Sequence, residues 1–362
     1  MAKFTNSLSV EFTAMLKYSF SKRFAMKRPF WVKFVRIVLC FLLAAILIAG
    51  GILLSIYLRS RTYFANSEKA FLYPELDEGF IAQGIVYDED EDVLFICGYK
   101  KKGVPSPIYV IDRMTGGLVA SASMYKQDGT PFTGHSGGIT VWKNLVFVAG
   151  TYDGLYVFSR DEVLKARNGE RVTAIGLFPL NIGSEKLTAS FVSVHDDILT
   201  VGEFHIFVFA NTEKSHHFKT PSGEKQYAVA VNYRLDESQP LGIVPQAVSA
   251  YSIPTLAQGI CFHDGKILLS ASVGFLMSKI YVFDPTDLQT CGTFGGVPVY
   301  ALDKSVQTAK WTFPPMAEEI EIVDGYIYTM DEAASSKYRL GKLFGGQWCF
   351  RTKINTGLYN LE

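Results

Sequence analysis

Gln83, His135, Glu203, Gln258, Glu318 and Glu319 are the side chains whose chemistry would matter most if folding gathered them in one place. An imidazole nitrogen and carboxylate oxygens can hold a divalent cation, or polarise an ester or lactone carbonyl through it, while primary amides orient a bound molecule. These residues are scattered from position 83 to 319, so they make a site only in a fold that returns repeatedly to a common centre.

Three local motifs suggest chemistry and fail on context. Gly134-His135-Ser136-Gly137-Gly138 matches the Gly-x-Ser-x-Gly of hydrolase nucleophile elbows. That turn needs an apolar strand before the serine and a helix after it, whereas here a polar loop precedes and ITVWKNLVFVAG follows as a hairpin. Asp88 to Asp92 alternates like a calcium loop, but Val93 and Tyr99 stand where Gly and Glu are required, so a solvated hairpin tip is expected. His216 and His217 are adjacent in a polar stretch, where neighbouring side chains point apart, and are expected in a loop rather than on a metal.

The elements that would have to position the six residues come from an internal repeat. Short strands open at Gln83-Gly84-Ile85, Gly137-Gly138-Ile139, Ser190-Phe191-Val192, Gln258-Gly259-Ile260 and Glu318-Glu319-Ile320, with central residues 54, 53, 68 and 60 positions apart. Each runs through a polar turn into a second strand, beginning at Val93, Leu145, Ile198, Ile267 and Tyr326. Asp264-Gly265 and Asp324-Gly325 are hairpin-turn pairs, and Lys143-Asn144 and Asp196-Asp197 occupy the same place. Third strands begin at Ile108, Leu155, Tyr227 and Ile280. An apolar-proline step at Tyr73-Pro74, Phe178-Pro179, Ile253-Pro254 and Phe313-Pro314 marks where an outer strand would end. The first such step precedes the first repeat, so residues 64 to 76 are expected to supply the outer strand of the last unit and close a ring.

Units of this length, each holding four strands, predict an all-β five-bladed β-propeller, or six blades if the 68-residue spacing hides another. The openings AQGI at Ala82 and Ala257, HSGGI at His135, VGEF at Val201, and PPMAEEI at Pro314 followed by DEAASSKY at Asp331 resemble uncharacterised extracytoplasmic bacterial β-propeller proteins over residues 64 to 362. The pattern is also distantly similar to lactonase-like and gluconolactonase-like propellers, which implies a central ligand or a divalent cation. It lacks the Trp-Asp dipeptide of WD40 repeats.

Residues 37 to 58 contain no charged side chain, and 22 residues at helical rise span roughly 33 Å, enough for a bilayer core. Eight Lys and Arg precede this stretch against one acid, Glu11, so the N-terminus is expected to stay cytoplasmic and the domain to lie outside. The expected organisation is a basic tail (1–36), a transmembrane signal anchor (37–58), a linker with the ring-closing strand (59–76) and an extracytoplasmic propeller (77–362).

With 35 basic and 35 acidic residues there is no field to draw a polyanion, so nucleic acid is not an expected partner. The five cysteines form no Cys-x-x-Cys pair, although one disulfide among the outer four is compatible with an oxidising compartment. The expected partners are the membrane, through residues 37–58, and an extracellular ligand or protein. The expected function is a membrane-anchored binding module for a ligand, envelope polymer or protein, the alternative being a metal-assisted hydrolase or lactonase at the axial mouth.

Overall fold

A computed structural model describes residues 30–335, 337–338, 341 and 346–354. The chain forms two compact units, residues 1–55 and 56–362. In the first, the described residues are helical and solvent-exposed, with an occasional half-buried side chain. They belong to a 36-residue helix, Phe30–Ala65, that is long and apolar enough to cross a membrane.

The second unit starts with the last turns of that helix, where Tyr63 packs its ring on Phe313, and continues as a five-bladed propeller. The innermost strands are Ile81–Asp88, Ser136–Trp142, Phe191–His195, Ala257–His263 and Ala317–Val323. Each contacts the next, and Ala317–Val323 contacts Ile81–Asp88, so the five form a closed ring. From each, the chain meanders outward through antiparallel strands. Tight turns joining first to second strands use left-handed residues where hairpin twist requires them, as at Asp264 (φ 48°) with Gly265 (φ 68°) and Asp324 (φ 51°) with Gly325 (φ 74°).

Strand periodicity builds the core. Successive side chains point to opposite faces of a sheet, so each blade feeds two apolar layers. In Val93–Tyr99, Phe95 and Cys97 face the second blade, while Leu94 and Ile96 face the fifth. In Leu145–Gly150, Val146 and Val148 join the first layer, while Phe147 and Ala149 face the third blade. Five such apolar clusters fill the spaces between consecutive blades among the described residues.

The ring closes through the fifth blade, where Ser67–Leu72 pairs antiparallel with Trp348–Lys353 outside Tyr326–Asp331. The 68-residue spacing holds no sixth blade. It is taken up by a long connection in the third blade, between Ile198–Gly202 and Ala228–Leu235. Two blades also reach across to their predecessors: Glu170–Thr173 adds in parallel to Leu118–Tyr125, and the hairpin Thr290–Ala301 adds in parallel to Ile243–Ile253. All five cysteines are free thiols, so no disulfide contributes.

Candidate functional site at the hub

The repeat openings share a backbone device. In four blades the ladder shifts register there, between Ala82 and Gly84, Ser136 and Ile139, Ala257 and Gly259, and Ala317 and Ile320. Such bulges bend the inner strand and leave main-chain groups outside its own ladder. Gly84, Gly138 and Gly259 occupy these bends, and the equivalent residue of the fifth blade is Glu319.

Glu319 fills the space those glycines leave. Its Oε2 accepts from the backbone N–H of Ile85 (2.9 Å) and Ile139 (3.0 Å), and its Oε1 from that of Val192 (3.2 Å). One carboxyl group thereby ties the fifth blade to the first, second and third. A Cβ on Gly138 would come within 2.6 Å of Oε1, one on Gly84 within 2.9 Å of Oε2, and one on Gly259 within 2.6 Å of the Glu319 Cα. Burial drives the Glu319 carboxyl well above the ordinary range, against the pull of its three main-chain donors.

Glu318, one residue earlier, is just as buried but differently served. At 2% exposure, its hydrogen bond among the described residues comes from Gln258 Nε2, at 3.3 Å. Its carboxyl is also pushed well up, first by burial and then by the neighbouring Glu332, Asp331 and Glu319 charges. Burial raises Glu332 to about 7 and Asp331 to about 8, opposed by Lys337 and Gln83 in the first case and by the Ala333 N–H in the second.

Around this pair, blade ends meet. Gln83 donates to the Ala82 carbonyl (2.8 Å) and reaches Glu332 Oε2 (3.5 Å). Lys337 donates to the Tyr99 hydroxyl (3.0 Å), and the Tyr99 ring lies 4.8 Å from that of His135. His135 Nδ1 is 2.9 Å from Thr151 Oγ1. Desolvation and the Lys337 charge depress the His135 imidazole to about 4, although solvent reaches the ring and weakens the first cause.

Gln83, His135, Gln258 and Glu318 thus stand at one end of the hub with Tyr99, Asp331, Glu332 and Lys337, which sequence reasoning had not included. Glu319 reaches into the hub itself. Glu203 lies in a separate contact: its oxygens are 2.8 and 3.0 Å from His216 Nδ1, and Oε1 also accepts from the Val229 N–H. His216 is therefore a buried partner on a short turn, Lys214–His216, rather than a free loop side chain.

The other motifs resolve into structure. Ser136 is buried on an inner strand and donates to the Gly98 carbonyl. Asp88 pairs in two-point fashion with Arg160, and Asp92 with Arg113. Among the described residues, no three His, Cys, Asp or Glu side chains are grouped so as to hold a metal ion.

No protein-family model matches the sequence, and no curated protein matches it. Solved structures do. The glutaminyl cyclase of Myxococcus xanthus superposes with a TM-score of 0.40 at 11% identity, covering 80% of this chain and 95% of that one. A chain of the nidogen/laminin complex gives 0.36 at 9% identity, covering 69% and 72%. The computationally designed protein Ika4 gives 0.29 at 9%, covering 56% and 90%. These are likenesses of fold.

Proposed function

We propose that this protein is a single-pass, membrane-anchored propeller whose N-terminal basic tail is cytoplasmic, whose residues 37–58 cross the bilayer, and whose extracytoplasmic domain binds a small polar ligand at the open end of its hub. The excess of Lys and Arg before the apolar stretch supports this orientation. Glu318 carries the binding reading. This carboxyl is buried to 2% exposure and, among the described residues, is met by one amide at 3.3 Å, the kind of buried polar group that a ligand's donors would complete. Gln83 and Gln258 supply amides at the same place, and Tyr99 and Lys337 supply donors. The arrangement suits a ligand carrying both donors and acceptors, such as an amine-bearing or hydroxylated molecule.

A second reading, metal-assisted hydrolysis or lactone opening, draws on Glu332 and Asp331, raised by burial to about 7 and about 8 at the same end of the hub as His135. One experiment separates the two. The detergent-solubilised full chain is melted in the presence of amines, sugars, lactones and divalent cations, alongside Glu318→Gln. Binding by wild type that disappears in the variant supports the module. Metal-dependent turnover lost in the variant supports the enzyme, and a panel that stabilises neither protein overturns both.

A further inference from the structure

The fourth blade and the last turns of the helix bring three cations together without an acid. Arg59 is the first charged residue after the uncharged stretch 37–58. It belongs to the part of the helix that folds with the propeller, where Ser60 and Tyr63 are buried. The Tyr63 ring, one helical turn beyond Arg59, lies 4.7 Å from that of Phe313. Phe313 stands on the outermost strand of the fourth blade, Gln307–Pro315, which also carries Lys310. Antiparallel pairing sets Lys310 opposite Tyr281 and Thr312 opposite Lys279, so the two lysines are diagonal neighbours on one face of the sheet.

These charges face one another with neutral partners only. Lys279 Nζ donates to Thr312 Oγ1 (2.6 Å), and Lys310 Nζ stands 5.6 Å from the centre of the Tyr281 ring. Among the described residues no carboxylate pairs with Arg59, Lys279 or Lys310, whereas Lys266 and Lys304 pair with Asp284 and Glu224. Burial lowers the Lys279 ammonium, and the Lys310 and Arg59 charges lower it further. Like charges held this close are unfavourable until an anion joins them.

We infer that Arg59, Lys279 and Lys310 hold the phosphate of an anionic phospholipid headgroup, fastening the propeller to the lipid around its own helix. The inference rests on the anchored reading above. Charge complementarity calls for an anion, and position selects the lipid over a soluble one. Arg59 directly follows the apolar stretch in the chain, so covalent continuity alone sets it at headgroup depth. Lys279 and Lys310 stand beside it within the same compact unit, so no placement of the rest of the helix is required. Arg59 and Lys310 are exposed, which leaves the cluster open to a headgroup. A lipid already packed on the helix meets these cations at high effective concentration.

The test equilibrates the detergent-solubilised full chain with equal amounts of phosphatidylglycerol and phosphatidylcholine, and reads the lipid retained by native mass spectrometry. Wild type is expected to prefer phosphatidylglycerol at least about fivefold, the effect of roughly one juxtamembrane cation. The preference is expected to fall to near parity in Lys279→Gln with Lys310→Gln, and to survive in Lys304→Gln. Arg59→Gln, at an exposed helical position, is expected to weaken it too, and decides the matter if the double variant does not fold. Equal retention of both lipids by wild type, or an unchanged preference in the variants that fold, overturns the inference. So does loss of phosphatidylglycerol to millimolar inorganic phosphate, which would make this a site for a soluble anion. If alkaline carbonate washes the protein from membranes, the anchored reading falls as well. Retention in the membrane without lipid preference removes the headgroup site alone.

Discussion

Glu318 and Glu319 are neighbours in sequence, equally buried and both pushed up by desolvation, yet their surroundings differ. Among the described residues, Glu319 receives three main-chain donors from three blades, while Glu318 receives one amide at 3.3 Å. Burial alone does not distinguish a structural acid from the binding one proposed above; the donors each receives among the described residues do. A bulge at the opening of the fifth blade turns the two side chains toward different surroundings.

The comparison breaks most visibly at Glu319. Glu319→Ala leaves three buried N–H groups without their acceptor, at about 1–3 kcal/mol each, so a loss of roughly 3 kcal/mol or more is expected in denaturant unfolding of the full chain. Glu319→Gln is expected to cost less, because an amide oxygen can keep two donors while its NH2 faces the third. If both variants unfold like wild type, Glu319 is not the hub tie.

Gly138→Ala sharpens the same point from the other side. Its Cβ would meet Oε1 at 2.6 Å and the Val192 nitrogen at 2.8 Å, so overpacking of about 1–3 kcal/mol is expected, again read by denaturant unfolding. Removing the glutamate in the same chain, as Gly138→Ala with Glu319→Ala, is expected to relieve part of that cost.

The pH dependence tests the Glu318 side. Asp331 and Glu332 have folded-state values of about 8 and about 7 against ordinary values of 3.8 and 4.5. The folded state therefore binds more protons than the unfolded state between those limits, and this contribution to stability is present at low pH and lost as pH rises. The melting temperature is expected to fall from about pH 5 to about pH 8, and the fall should shrink in Asp331→Asn. A rise over that range would contradict the environment described for this end of the hub. His135 works in the opposite sense but only below its ordinary value of 6.5.

The smallest stability effect is expected from Glu318→Gln. An amide removes charge from an acidic neighbourhood without stranding three N–H groups, so stability should change by less than about 1 kcal/mol while ligand stabilisation disappears. A loss as large as that of Glu319→Ala would make the two glutamates equivalent.

Much of this fold was legible. Strand openings, Asp-Gly turns and proline steps are local signals, and five openings in succession disclose five blades. The aspartate-rich run and the Gly-x-Ser-x-Gly match were also readable as structural, because each lacks the flanking elements its chemistry needs. What escaped was nonlocal. The Glu203–His216 contact joins residues with no shared period, and the parallel additions of Glu170–Thr173 and Thr290–Ala301 depend on a neighbouring blade. The long third-blade connection lengthened one repeat spacing without adding a blade. Glu319 could have been found: it aligns with Gly84, Gly138 and Gly259, and a large acid where sister repeats keep glycine fills the room they vacate. Tyr99 and Lys337 lie outside the repeat openings, so no periodic signal marked them.

The pairing of Ser67–Leu72 with Trp348–Lys353 bears on how the chain is made. The first strand to leave the ribosome waits for almost the last before it has a partner. Until then the ring stays open and its inter-blade layers are wetted, so a stalled or prematurely terminated product would expose a sticky sheet edge to quality control. Synthesis of the fifth blade and closure of the circle become a single event.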